Sequence, residues 1–153
     1  MGFILLVPVA IKKMGLRKVM IFGLVALTIR YLSFYSGGVI NQNWMYYIGI
    51  LIHGLIFGFF YVGGQIYVDK KAPGHLKSQA QGFIFLVTFG AGLLVGNFLS
   101  ARLIHHYKTA VGYNWDAIWG ITTLVSVVLL LGFVVVFKEE KFAVKNEIEK
   151  FKL

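Results

Sequence analysis

The feature that most constrains the fold of this sequence is a pair of long apolar runs joined by a short basic turn, between Trp44 and Gly82. The first run is rich in glycine and aromatic residues and contains two polar side chains, His53 and Gln65. An apolar run of about 18 or more residues is long enough to cross a bilayer as a helix. The stretch therefore predicts two adjacent membrane-spanning helices and the loop between them.

The amino-acid composition favours a membrane protein built from helices. Hydrophobic residues make up 58% of the chain and charged residues 14%, whereas soluble domains average about 45–50% apolar and about 25% charged residues. A membrane β-barrel would show segments of about ten residues with alternating hydrophobicity, and this sequence has continuous apolar runs instead. We predict an all-α integral membrane protein, with a membrane region over residues 1–141.

Five helical segments are predicted, of which the first is incomplete. Residues 1–11 would cover roughly 16 Å, about half of the hydrocarbon core. Two interpretations fit this segment: an interfacial or re-entrant piece, or the second half of a helix that begins upstream, which would make the chain a fragment. Pro8 would kink the segment or mark its end. The complete spans are predicted at residues 19–36, 44–68, 79–104 and 117–137.

Lysine and arginine residues concentrate at one side of the predicted helices. Of the 15 such residues, all but Arg30, Arg102 and Lys108 lie in the two basic turns or near the C terminus. Because basic residues favour the cytoplasmic side, we predict that the C terminus is cytoplasmic and that the protein spans the inner (cytoplasmic) membrane several times. The loops at 37–43 and 105–114 would then face outward. The net charge of +9 is thereby explained by membrane topology and does not predict nucleic-acid binding.

A charged cytoplasmic tail is predicted at residues 142–153. Within it, Val144, Ile148 and Phe151 recur at helical spacing between charged residues. This pattern fits a short amphipathic helix on the membrane surface, and a frayed, solvated segment fits equally well. Neither interpretation gives the tail a catalytic role.

Arg30 is the permanently charged residue that lies well inside a predicted span. An arginine at a helix centre costs about 2.5–3.5 kcal/mol on insertion scales, so it needs a partner or a wet cavity. It either serves a polar path or reaches the outer interface, where Tyr31 and Tyr35 flank it. No acidic residue lies within the predicted spans. A counter-charge would come from a missing part of the protein, from water or from a substrate.

The second complete span combines glycines with aromatic and amide side chains. Gly54 and Gly58 are four residues apart, a spacing that lets helix backbones approach closely. Helix packing alone explains these glycines in one interpretation. In the other, they bend the helix beside Phe57, Tyr61 and Gln65 to form a polar path for a solute. We predict that all five residues face such a path.

The sequence contains no pattern typical of an enzyme. Paired carboxylates, a Ser-His-Asp arrangement and a phosphate-binding glycine loop are all missing, and His105 and His106 lack the spacing of a metal site. The chain has no cysteine, which excludes a Cys-based metal site. His53 is interpreted as a packed, hydrogen-bonded residue. We predict a protein that is not an enzyme and uses no cofactor and no metal.

Three linked motifs carry a resemblance to a known family: GLRKVMIFGLVALTIRYLSFYSGG at 15–38, HGLIFGFFYVGGQIYVDKKAP at 53–73 and SQAQGFIFLVTFGAGLLVGN at 78–97. In this order they resemble the C-terminal third of the nucleoside:proton symporters, which are twelve-helix transporters of the major facilitator superfamily. The most specific motif is the helix–turn–helix from Tyr67 to Gly82. The resemblance implies that residues 1–11 end helix eight and that the complete spans are helices nine to twelve.

The resemblance also implies alternating access of two six-helix halves around a central site. The family position of Phe57 belongs to the substrate site, and this role is carried to Phe57. At the next position the family has an aspartate that couples protons to the substrate, and this chain has Gly58. The family's other coupling acid would fall immediately before Met1. Tyr61 replaces a residue that is often smaller and polar, and Arg30 matches an arginine of the family pattern.

From these residues we predict part of a secondary active transporter that is inactive alone. Its expected partners are a nucleoside, protons, the lipid bilayer and a missing N-terminal transporter half. The expected substrate-binding residues are Phe57, Gly58, Tyr61, Gln65 and Arg30. Loss of the acid at Gly58 leaves open a transporter for another small solute such as a sugar. The glycine spacings leave open a small non-transporting membrane protein that acts through helix–helix interaction.

Overall fold

A computed structural model describes residues 2–138 of the protein, and their side chains from residue 6 onward. The predicted tail at 142–153, with its proposed amphipathic helix, lies outside the described residues. The chain begins with helix α1, Gly2–Met14, and helix α2, Leu16–Val39. Helix α1 runs through Pro8 and past residue 11, so Pro8 does not end it. Gly15 separates the two helices with a φ of 84°, a conformation that glycine adopts without steric cost.

Helices α3, Trp44–Lys71, and α4, Gly74–His106, form the next two spans. Each contains a π-helical segment, at Phe57–Val62 in α3 and at Leu86–Ala91 in α4. Between the helices, Ala72 is extended, with φ −70° and ψ 136°. The residue before a proline favours this conformation, so Pro73 explains why α3 ends at Lys71.

A short β-hairpin connects α4 to the last helix. Strands β1, Lys108–Thr109, and β2, Gly112–Tyr113, pair antiparallel, where the sequence predicted a polar loop. Helix α5 follows at Trp115–Val136. The side chain of Asn114 caps it by accepting a hydrogen bond of 3.1 Å from the backbone nitrogen of Ala117. Asparagine is a preferred residue at this position because it satisfies a backbone donor of the first turn.

Helix α2 lies at the centre of the described fold and contacts α1, α3 and α5. Its buried side chains include Val19, Met20 and Leu24. Near its C-terminal end, the ring of Phe34 lies against Gly49 of α3, and its centroid is 4.9 Å from that of Trp119 in α5. Burial therefore concentrates along α2, and the three helices α2, α3 and α5 form the packed part of the bundle.

Helix α4 contrasts with this packed part, because none of its residues is buried. It contacts α3 near the basic turn that joins the two helices. Large apolar side chains along its length are exposed, among them Leu94 at 74%. A long apolar helix with so little burial is one that lipid or further helices must cover.

Helices α2 to α5 are all long and apolar enough to cross a membrane, which confirms the predicted all-α membrane fold. The helices extend beyond the predicted spans at most ends. Helix α4 begins at residue 74 where the prediction began at 79, and α2 covers residues 16–39 where the prediction covered 19–36. The extra turns contain basic and polar residues, which apolar content alone does not assign to a span.

Candidate functional site

Four side chains spaced four residues apart run along α3: His53, Phe57, Tyr61 and Gln65. We call this set the α3 stripe. The ring centroids of Phe57 and Tyr61 are 4.9 Å apart, and Gln65 Nε2 donates a hydrogen bond of 2.6 Å to the Tyr61 hydroxyl. Phe57 is 41% exposed. The stripe thus presents an accessible aromatic face beside a hydrogen-bonded hydroxyl and amide.

The π-helical segment Phe57–Val62 forms the middle of the α3 stripe. In an α-helix, residues four apart drift around the axis by roughly 40°, because one turn holds 3.6 residues. The wider π turn, with bonds between residues five apart, opposes this drift. It therefore helps to keep the four side chains on one face. Single π turns within α-helices occur frequently at functional sites.

Close contact with α2 holds the π-helical segment in place. A Cβ atom added at Gly23 would lie 2.7 Å from the backbone nitrogen of Phe60 and 2.9 Å from its Cβ. Gly23 and Gly58 are both buried. Small residues at such positions let two helix backbones approach closely. Close packing at a glycine is therefore present at Gly23 of α2, where the sequence pattern had pointed to Gly54 and Gly58 of α3.

Two contacts connect the α3 stripe to α4. Gln81 Nε2 donates a hydrogen bond of 2.8 Å to the backbone carbonyl of Gln65. The ring of Phe89 meets that of Tyr61 edge-on, with centroids 4.9 Å apart. Phe89 belongs to the second π-helical segment, Leu86–Ala91. The two π-helical segments thus meet at Tyr61, and this residue links the α3 stripe to α4.

At the other end of the stripe, Arg30 of α2 reaches His53 of α3. Arg30 Nη1 lies 2.8 Å from His53 Nδ1. Arg30 Nε is buried and has no hydrogen-bond partner among the described residues. The guanidinium carbon lies 5.7 Å from the ring centroid of Tyr31 and 5.5 Å from that of Phe34, within the range of a cation–π interaction.

Three of the predicted site residues, Phe57, Tyr61 and Gln65, are neighbours along the α3 stripe. Gly58 lies in the same segment but is buried. Arg30 joins the stripe through His53, and the substrate-binding roles of all five remain predictions. His53 was interpreted as a packed residue, and the structure shows it hydrogen-bonded but exposed. Its spacing of four residues from Phe57 is the signal that could have placed it on the stripe.

Sequence reasoning also missed two α4 residues that contact the stripe. Gln81 and Phe89 lie in a span that showed no pattern linking it to α3, since their contacts depend on how the two helices are oriented. Among the described residues, no group of three or more histidine, aspartate or glutamate side chains is placed to hold a metal ion.

An apolar groove of about 700 Å³ lies away from the α3 stripe, between α2, α3 and α5. Its walls include Leu24, Leu27, Ile56, Phe60 and Phe133. An open groove lined almost entirely by aliphatic and aromatic side chains lacks the convergent polar groups of a solute site. Its character is that of a surface for packing against an apolar helix or lipid.

Four helices long and apolar enough to cross a membrane, one of them carrying a polar and aromatic stripe, define a multi-pass helical membrane protein. A family model described as nucleoside H+ symporter matches residues 1–142. The chain belongs to this family, as the sequence motifs predicted.

Several known proteins support this assignment. The chain is 34% identical over 160 residues to the Escherichia coli protein YegT, whose name describes a candidate nucleoside transporter, covering 99% of this chain and 36% of that protein. It is 28% identical to the nucleoside permease NupG of Escherichia coli, covering 89% of this chain and 33% of that protein. The xanthosine permease of Escherichia coli is 27% identical, with 86% and 33% covered.

A crystal structure of the nucleoside transporter NupG superimposes with a TM-score of 0.79 at 28% identity, covering 90% of this chain and 34% of that one. This likeness confirms that the fold is part of a major facilitator transporter. The chain spans about a third of the length of the curated relatives it matches. These relatives are named as transporters or permeases.

Proposed function

We propose that this protein is part of a secondary active transporter that moves nucleosides across the cytoplasmic membrane by alternating access. The observation that carries the proposal is the exposed ring of Phe57 beside the hydrogen-bonded pair of Tyr61 and Gln65. A nucleoside combines a flat base with a polar ribose. Aromatic side chains stack on bases of any identity, while hydroxyl and amide groups bind polar atoms.

The hydrogen bond within the α3 stripe leaves its polar groups ready for a ligand. Because Gln65 donates through Nε2, the Tyr61 oxygen accepts, and its own proton remains to be donated elsewhere. The Gln65 carbonyl oxygen adds acceptor capacity. We assign the base to the face of Phe57 and the ribose or base edge to Tyr61 and Gln65. In this arrangement Gly58 is a buried small residue next to Phe57.

The proposal includes further helices that complete the transporter. The unburied helix α4 and the apolar groove between α2, α3 and α5 are surfaces of the kind that such helices cover. The relatives, of which this chain spans about a third, have the length to supply them. We place the basic turns and the C terminus in the cytoplasm, following the distribution of lysine and arginine.

Uptake of radiolabelled uridine and adenosine tests the proposal. The chain is expressed from its native locus, with any adjoining coding sequence that continues its reading frame, in cells lacking other nucleoside transporters. We expect uptake that unlabelled nucleosides inhibit. Phe57→Ala should weaken apparent affinity about 5- to 150-fold, which corresponds to the roughly 1–3 kcal/mol of one base–aromatic stack. Inhibition by sugars in place of nucleosides, or uptake equal to that of empty cells, would contradict the proposal.

A further inference from the structure

We propose that Arg30 and His53 form a proton-binding site in which protonation of His53 breaks a hydrogen bond between α2 and α3. The role of this site in proton coupling rests on the proposed transport function. The proton binding itself is argued from the geometry of the two side chains. Neither the resemblance to the symporters nor the comparisons assign this role to either residue.

The direction of the hydrogen bond fixes the state of the imidazole. Arginine has donors and no acceptor, so Arg30 Nη1 donates and His53 Nδ1 accepts across the 2.8 Å that separates them. An accepting Nδ1 carries a lone pair and no proton. This direction requires the neutral imidazole, with its proton on Nε2.

The pair lies well inside the two helices that carry it. Arg30 is nine residues before the end of α2 at Val39, and His53 is nine residues after the start of α3 at Trp44. At 1.5 Å per residue, both lie roughly 14 Å from the same end of the bundle. A cation at this depth is costly unless it is paired, and Arg30 Nε has no partner among the described residues.

A proton bound at Nδ1 uses the lone pair that accepts from Arg30. The hydrogen bond is then lost, and two cations face each other where one cation and a neutral acceptor stood before. The rings of Tyr31 and Phe34 already border the guanidinium at 5.7 and 5.5 Å and offer it an alternative position. Protonation thus loosens α2 from α3 one helical turn from Phe57, and loss of the proton restores the bond.

Tyr31 is an ionisable side chain beside this pair, and Asp116 lies in the first turn of α5, which packs against α2. On α1, which also contacts α3, Lys12 and Lys13 lie in the last turn, at the basic end. On α4, Lys77 pairs with Asp69 near that same end, and Arg102 lies over the ring of Phe98 at 5.0 Å. Histidine is the side chain that changes charge between about pH 5 and 8. His53 lies nine residues inside its helix, whereas His75, His105 and His106 lie within two residues of an end of α4.

Nitrogen NMR of the imidazole in lipid nanodiscs tests the site directly. His75, His105 and His106 are replaced by glutamine, which leaves His53 as the only labelled imidazole of the full chain. In alkaline buffer we expect a protonated Nε2 and an unprotonated Nδ1 that accepts a hydrogen bond, and on acidification a second proton at Nδ1. Failure of Nδ1 to gain a proton at any pH at which the protein stays folded, or a proton on Nδ1 in alkaline buffer, would overturn the proposal.

Matched variants identify Arg30 as the donor in the same spectra. Arg30→Leu should abolish the hydrogen-bond shift of Nδ1 at alkaline pH, whereas Arg102→Leu, which removes a cation from α4, should leave it unchanged. Loss of the shift in both variants, or in neither, would contradict the assignment of Arg30.

Transport separates this proposal from the proposed function. In His53→Gln the amide oxygen still accepts from Arg30 but takes up no proton, so the nucleoside uptake that the variant retains should no longer depend on pH. Retention of the original pH profile would overturn the role of His53. If His53 titrates in nanodiscs but no nucleoside is transported, the transport function fails and the proton site stands.

Discussion

Arg17, in the first turn of α2, donates a hydrogen bond of 2.7 Å from Nε to the backbone carbonyl of Phe137, just after α5. Its Nη2 donates to the carbonyl of Val134 at 2.8 Å. The last carbonyl groups of a helix lack partners within the helix, and a cation at this end is also favoured by the helix dipole. A residue that the sequence marks only as part of a basic turn therefore joins two helices.

Arg17→Ala should lower the free energy of unfolding by about 1.5–3 kcal/mol, the range for hydrogen bonds to a charged group. The variant removes both donors and leaves two carbonyl groups without these partners. Thermal unfolding in nanodiscs, followed by tryptophan fluorescence, measures the change. Lys18→Ala is the control, because Lys18 is the exposed basic neighbour of Arg17. Equal destabilisation by the two variants would show that net charge, not this contact, is responsible.

Gly23→Ala should destabilise the protein by about 1–3 kcal/mol, as overpacking typically does. The added Cβ would lie 2.7 Å from the Phe60 backbone nitrogen, and backbone cannot move aside as a flexible side chain can. Gly82→Ala is the matched control on α4, where no described atom lies within 4 Å of the added Cβ. That variant should be neutral or up to about 1 kcal/mol more stable, since alanine favours helix over glycine. If both variants changed the free energy of unfolding in the same direction, close packing at Gly23 would be contradicted.

The sequence predicted the membrane class, the number of complete spans and three members of the α3 stripe. These features depend on local quantities: run length, charge placement and the spacing of Phe57, Tyr61 and Gln65 along one helix. The β-hairpin at residues 108–113 was not predicted, because two strands of two residues carry no periodic signal. The continuation of α1 through Pro8 was left open, since membrane helices tolerate proline.

The contacts between helices could not be predicted in the same way. The Arg30–His53 hydrogen bond joins residues 23 positions apart, and the Arg17–Phe137 bond joins residues 120 apart. Whether such pairs meet depends on how each helix is rotated and tilted, which packing decides. The two π-helical segments were missed for a related reason, because an extra residue in one turn leaves no mark in composition.

Lys77→Ala should change the free energy of unfolding by less than about 1 kcal/mol. Lys77 Nζ lies 3.2 Å from Asp69 Oδ2, but the two side chains are 46% and 50% exposed. Water and salt screen such a pair, and holding two long side chains in place costs entropy. The free energy of unfolding of Lys77→Ala is measured in low and in high salt. Arg17→Ala is measured in parallel, as the variant that should lose more stability. A loss as large as that of Arg17→Ala would mean that this turn is more tightly constrained than its exposure indicates.

Tyr61→Phe and Gln65→Leu should show strong coupling in nucleoside affinity. Each variant removes one partner of the 2.6 Å hydrogen bond, so the second substitution has less left to remove. For residues that share a network, coupling energies of about 0.5–3 kcal/mol are usual. Apparent affinities of both single variants and the double variant, from inhibition of uridine uptake, give this energy. Gln81→Leu combined with Tyr61→Phe serves as a comparison, because Gln81 bonds the Gln65 backbone and not its side chain. Additive effects of the Tyr61 and Gln65 substitutions on apparent affinity would show that the substrate contacts the two side chains independently. Coupling limited to this pair would show that the two side chains bind the substrate together.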